Sequence, residues 1–173
     1  MEDDLCILLI ILIIWLILYI LLEFNIINKK RIEVKKMFLE LDVIFEKRIN
    51  ILSKIVDIVK AYDRNQFDDL GSRLYDYSNS YKEYEFNKRI SINEILDSDI
   101  KKLLLVSKVY PELKELPKFV KLEKQLIRYS KVIKKMRIKY NKVLDNYNNR
   151  KKIFPSGIIC LVCKFYNYNY FKI

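Results

Sequence analysis

The sequence predicts an all-α protein: an N-terminal transmembrane helix, then an antiparallel up-and-down four-helix bundle with long first and fourth helices. Three observations carry this expectation. Residues 5–22 contain no charge, and the remainder repeats apolar residues at steps of three and four. Two Gly and three Pro in 173 residues are too few for the turns of a β protein. The expected divisions are a short extracytoplasmic N-terminus at 1–4, a transmembrane helix at 5–22, a helical bundle at 29–154 and an aromatic C-terminal tail at 155–173.

Of the 18 residues from Leu5 to Leu22, fifteen are Leu or Ile, interrupted by Cys6, Trp15 and Tyr19. As a helix this segment is about 27 Å long, enough for a bilayer core. At about −0.3 to −0.6 kcal/mol per Leu or Ile, insertion is favoured by several kcal/mol. A buried helix of a soluble protein is the competing reading. A cleaved signal peptide fits worse, because Glu2, Asp3 and Asp4 are acidic where such a peptide is basic, and no small-residue cleavage site follows. Lys29, Lys30, Arg31, Lys35 and Lys36 crowd the C-terminal flank, and no Lys or Arg precedes the span. The positive-inside rule then predicts a single-pass protein of the cell membrane, N-terminus outside and bundle cytoplasmic.

The first bundle helix is expected from about Lys29 to Tyr62, with Met37, Leu41, Ile44 or Phe45, Arg48, Leu52, Ile55, Val59 and Tyr62 on its stripe. Arg48 on that stripe must reach out to water or find a carboxylate inside the bundle. A polar second helix is expected over Asp63–Lys88, with Phe67, Leu70, Leu74, Tyr77, Tyr81 and Tyr84 on one side. Ser91 and Glu94 have capping-box spacing and should open the third helix, with a kink or second cap at Asp97-Ser98-Asp99. Pro111 should end it, and Pro117 should stand in the first turn of the fourth. Phe119, Leu122, Leu126, Tyr129, Ile133, Met136, Tyr140, Val143 and Tyr147 form the seam of that helix. Short connections favour antiparallel neighbours; an isolated coiled coil is the competing architecture.

The run Leu41-Asp42-Val43, Arg48 and the stretch from Ile55 to Tyr62 resemble the first soluble helix of the LemA family. Tyr110-Pro111-Glu112-Leu113-Lys114 resembles its third-to-fourth helix joint, the most specific part of the likeness. Arg137, Tyr140-Asn141, Val143, Tyr147-Asn148 and Phe154-Pro155-Ser156 extend it, as do Phe165 and Phe171. Ser53 stands where the family pattern has a proline. The resemblance implies a membrane-tethered antiparallel helical bundle, found in bacteria, and assigns no reaction.

Chemistry is constrained by what is missing. There is no histidine, which removes the usual general base, the commonest metal ligand and every His-dependent triad. Cys160 and Cys163 have the spacing of a redox pair or half a zinc site, but only Cys6 remains as a further thiol. Asp68, Asp69, Asp97 and Asp99 read as solvated or capping groups. No catalytic residue, metal or cofactor is therefore expected, and no small-molecule substrate.

The net charge of +11 points to acidic partners. Between Lys118 and Lys152, 13 Lys or Arg face only Glu123 and Asp145. Lys121, Lys124, Arg128, Lys131, Lys135 and Lys142 are the candidate polyanion contacts, for nucleic acid or anionic lipid. The same stripe is also what the solvated back of an amphipathic helix looks like. The expected function is a non-enzymatic scaffold or adaptor on the bilayer with a protein partner, the alternative being a lipid- or nucleic-acid-binding module. The tail aromatics, flanked by Lys164 and Lys172, offer a membrane-surface contact.

Overall fold

A computed structural model describes residues 2–172. Among these residues there is no strand. The helices are α1 (Glu2–Val59), α2 (Arg64–Ser80), α3 (Phe86–Val109), α4 (Pro117–Lys151) and α5 (Ser156–Val162), with 3-10 turns at Tyr81–Glu83 and Pro111–Glu115. The chain divides into two units, one of residues 1–37 with 140–167, the other of 38–139 with 168–173.

In the first unit, α1 is long and apolar enough to cross a membrane: an 18-residue window has mean hydropathy 3.5 and none of it is buried by protein. Burial begins at Glu23 and Ile27. Also buried in this unit are Tyr140, Leu144 and Tyr147 of α4 and Ile159, Cys160 and Phe165 of the α5 region. Lys164, at φ 48°, ends α5 in the left-handed conformation. Phe165 N–H donates to Cys160 O (3.0 Å) and Lys164 N–H to Leu161 O (3.2 Å), the Schellman pattern, with buried Phe165 and Cys160 as its apolar contact.

In the second unit each of four helices buries one apolar stripe. On α1 it runs through Leu41, Phe45, Leu52, Ile55 and Val59, as the spacing predicts, while Tyr62 is exposed. Helix α1 passes Ser53 unbroken, and the Ser53 hydroxyl donates to Ile49 O (3.2 Å). Phe67, Leu70 and Leu74 are buried on α2, Ile92, Leu96, Ile100 and Leu103 on α3, and Phe119, Leu122, Leu126 and Ile133 on α4. Pro111 follows the end of α3 and Pro117 starts α4, where fixed φ and the missing N–H cost nothing.

Three local expectations are corrected. The second helix stops at Ser80 rather than Lys88, because Tyr81 turns into the core and the Arg89 guanidinium takes up the Tyr84 and Lys82 carbonyls (2.9 and 3.0 Å). The third helix starts at Phe86; Ser91 lies within it, donating back to Asn87 O (3.2 Å), so it caps nothing. Glu94 accepts instead from the Lys172 N–H (2.9 Å). Nor does α3 break at Asp97-Ser98-Asp99, since both carboxylates face arginines: Asp99 pairs with Arg73 at 3.4 Å, and Asp97 with Arg48 at 2.6 Å.

Leu126 has no exposed surface, whereas Leu105 is 54% exposed. Leu126→Ala should therefore cost about 2–5 kcal/mol and Leu105→Ala less than about 0.5 kcal/mol. Thermal melts of the detergent-solubilised full chain check the contrast.

Candidate functional site

The feature of the second unit that composition does not foreshadow is a buried polar network. Arg48 is 1% exposed, on the apolar stripe of α1. Its Nη1 donates to Asp97 Oδ1 (2.6 Å), and its Nη2 to Asn93 O (3.0 Å) and Asn93 Oδ1 (2.7 Å). Arg137 of α4, also buried, donates to the other oxygen of Asp97 and to Asn93 O (3.2 Å). Asp97 thus bridges two guanidiniums from two helices.

Asn93 relays the network onward. Its Nδ2 donates to the Tyr81 hydroxyl (2.8 Å) and to Arg89 O (2.9 Å). Tyr81 in turn donates to Asp42 Oδ1 (2.8 Å), and Arg89 donates to Asp42 Oδ2 (2.6 Å). Three guanidiniums meet two carboxylates, which leaves one positive charge in excess. Aromatic faces take part of that excess: Arg48 lies 5.4 Å from the Phe45 ring centroid and Arg137 5.1 Å from that of Phe171.

Burial shifts the titration of Asp42, Arg48 and Tyr81. It raises the pKa of Asp42, against the opposing pull of Tyr81 and Arg89. It lowers that of Arg48, opposed by Asp97. Burial, and then the Asp42 carboxylate, push the Tyr81 phenol well above its ordinary value, so it remains a donor. Each carboxylate is held by arginine, and the network's chemistry is that of a helix clamp.

A groove of about 540 Å³ opens beside the clamp, between α3 and α4. Ile100, Leu104, Ile127 and Ile133 supply apolar lining, with Lys101, Lys131, Lys134 and Lys172 around it. Ser130 adds a buried hydroxyl without a hydrogen-bond partner among the described residues. Asp97 is the one carboxylate in the lining, and it is already bound by Arg48 and Arg137.

The six predicted polyanion contacts, Lys121, Lys124, Arg128, Lys131, Lys135 and Lys142, are all exposed on α4. At about 100° per residue they fall within an arc of about 80°, on the side away from the seam. Of them, only Lys131 also lines the groove. The cysteines do not form a reactive pair of equals: all three are free thiols, Cys160 is buried and Cys163 exposed, and burial raises the Cys160 pKa, opposed by Lys151. Among the described residues no group of three or more His, Cys, Asp or Glu is arranged to hold a metal ion.

Another buried carboxylate lies in the first unit. Glu23, the residue after the uncharged run, accepts from Arg150 and from the Ser156 hydroxyl (2.9 Å for Ser156). Ser156 is fully buried. Sequence reasoning missed this pair, and it missed Asn93, Asp97 and Tyr81 as a cluster. The available signal was Arg89, Asn93 and Asp97 at steps of four, on the same side of α3 as Ile92, Leu96 and Ile100.

Removing Asp97 would leave two buried guanidiniums facing each other. Asp97→Asn should cost about 3–5 kcal/mol. Combining it with Arg48→Met should recover part of the loss, a coupling of about 1 kcal/mol or more in a double-mutant cycle read by denaturant unfolding.

No curated protein and no solved structure matches the chain. The family model described as LemA family matches residues 37–173, which include every member of the clamp and both sides of the groove. The chain belongs to the LemA family.

Proposed function

We propose that this LemA-family chain is a single-pass, non-enzymatic membrane scaffold or adaptor, with its N-terminus outside and its soluble helices in the cytoplasm as an antiparallel up-and-down bundle. Its partner in this reading is a protein presenting an acidic amphipathic helix. The groove between α3 and α4 carries the proposal: its isoleucines and leucine suit the apolar face of such a helix, and its lysines the acidic flank. Lys101, Lys131 and Lys134 have no carboxylate partner among the described residues, so their charge is available to a ligand.

The anchor's part in this reading is to concentrate the groove at one surface, which raises the encounter rate with partners on the same membrane. Orientation follows from the lysines and arginines at 29–36. A second reading, binding of anionic lipid or nucleic acid, is favoured by the exposure of all six stripe residues from Lys121 to Lys142. It requires steeply salt-dependent binding, with a slope that falls when those residues are neutralised.

Photocrosslinking in intact cells separates these readings. A photoreactive residue at Leu104 or Ile127 should give a discrete protein adduct that is lost in Lys131→Glu/Lys134→Glu, while the same probe at Tyr75 gives none. Identical products from all three positions, or none from the groove, would reject the adaptor reading. For orientation, Tyr75→Cys in a Cys6→Ser/Cys163→Ser background should resist a membrane-impermeant maleimide in whole cells and react after lysis. Labelling of whole cells would reverse the assignment.

A further inference from the structure

The first unit carries an apolar surface away from the spanning segment. Around α5, Ile153, Phe154 and Ile158 are exposed, Leu161 is 79% exposed and Val162 75%. Five large apolar residues left to solvent within ten positions are more than a short surface helix ordinarily presents. Sequence pattern pointed elsewhere in this region, to the tail aromatics, of which the structure buries Phe165 and Phe171.

The position of α5 along α1 says what covers this surface. Its first residue, Ser156, hydrogen-bonds Glu23 at 2.9 Å, one residue beyond the end of the uncharged run at Leu22. Arg150 holds the same carboxylate. Past the other end of α5, the Phe165 ring lies 6.2 Å from Phe24 and 4.2 Å beneath the Arg31 guanidinium. From Glu23 to Arg31 the helix rises about 12 Å, so the start of this stretch lies within the interfacial layer, about 5–8 Å deep per leaflet, that begins where the uncharged run ends. Exposed Lys152 and Lys164 bracket the apolar residues, at the level where phosphate headgroups lie.

We infer that the α5 corner is a second membrane contact, seated in the headgroup–acyl boundary of a bilayer containing anionic phospholipid. Phe154, Ile158, Leu161 and Val162 enter the acyl edge, and Lys152 and Lys164 meet the phosphates. This rests on the reading of α1 as membrane-spanning. It adds an interfacial foot to that span, so the first unit is held by two elements rather than pivoting on one.

The chain's single tryptophan, Trp15, makes the test direct. The full-length protein is reconstituted into anionic phospholipid vesicles whose acyl chains are brominated at shallow or deep carbons. Trp15 in the unaltered chain reports the span, and Trp15→Phe combined with Leu161→Trp or Val162→Trp reports the corner. Trp15→Phe/Tyr75→Trp serves as the solvent control. The expected result is at least twofold quenching of the corner probes, stronger from shallow than from deep bromines, with the Tyr75 position unaffected. Corner probes that ignore bromolipid while Trp15 is quenched would overturn this inference alone. A Trp15 that is also unquenched would overturn the spanning reading with it.

Discussion

Arg48 stands on the stripe of α1 that buries Leu41, Phe45, Leu52 and Ile55, so its guanidinium leaves water when the helices pack. The cost of several kcal/mol is recovered only if a carboxylate arrives with good geometry. Asp97 meets it, but also binds Arg137, and the two arginines share the Asn93 carbonyl. Three helices are thereby fixed in register. A slip of α3 by one turn, about 5.4 Å, would bring Lys101 or Asn93 opposite Arg48 in place of Asp97. The first is repulsive and the second leaves the charge uncompensated. Leucine and isoleucine stripes tolerate such a slip far better, so the clamp supplies specificity that apolar packing lacks.

The demand for this interaction was legible in the sequence, and its answer was not. An arginine on a heptad-like stripe requires a partner, yet nothing local to Arg48 names Asp97, 49 residues away. Elements set by near neighbours were read well: the apolar span, the stripe of α1, the seam of α4, and the prolines at 111 and 117. Ser91 and Glu94 have the right spacing for a cap but serve other partners, because Arg89 and Tyr81 settle the chain break upstream. The pairing of Glu23 with Ser156 joins residues 133 apart, and no short-range pattern encodes it. The groove likewise exists only as the space two helices leave, although Lys131 and Lys134 were visible as part of the basic stretch from 118 to 152.

The residues that carry the LemA likeness are also those that carry the structure. Asp42, Arg48 and Arg137 are clamp members, Ser156 holds Glu23, and Tyr110-Pro111 makes the joint into α4. Each of them joins one helix to another or to a turn. In the adaptor reading proposed above, recognition falls to the outer lysines and the groove they edge. Binding energy there would come from apolar contact, and partner choice from charge.

Phe171 is buried, with its ring 5.6 Å from Phe45 and 6.5 Å from Phe38, while the Asn169 and Lys172 amides bond to side chains of α3. A nascent chain leaves the ribosome in order, so Phe38, already met by Phe86, and Phe45 lack this last part of their cover until residue 171 has followed. The apolar span emerges long before that. If α1 spans a membrane as proposed, its delivery to the bilayer precedes completion of the core, and the Phe171 ring is added after the helices have been synthesised.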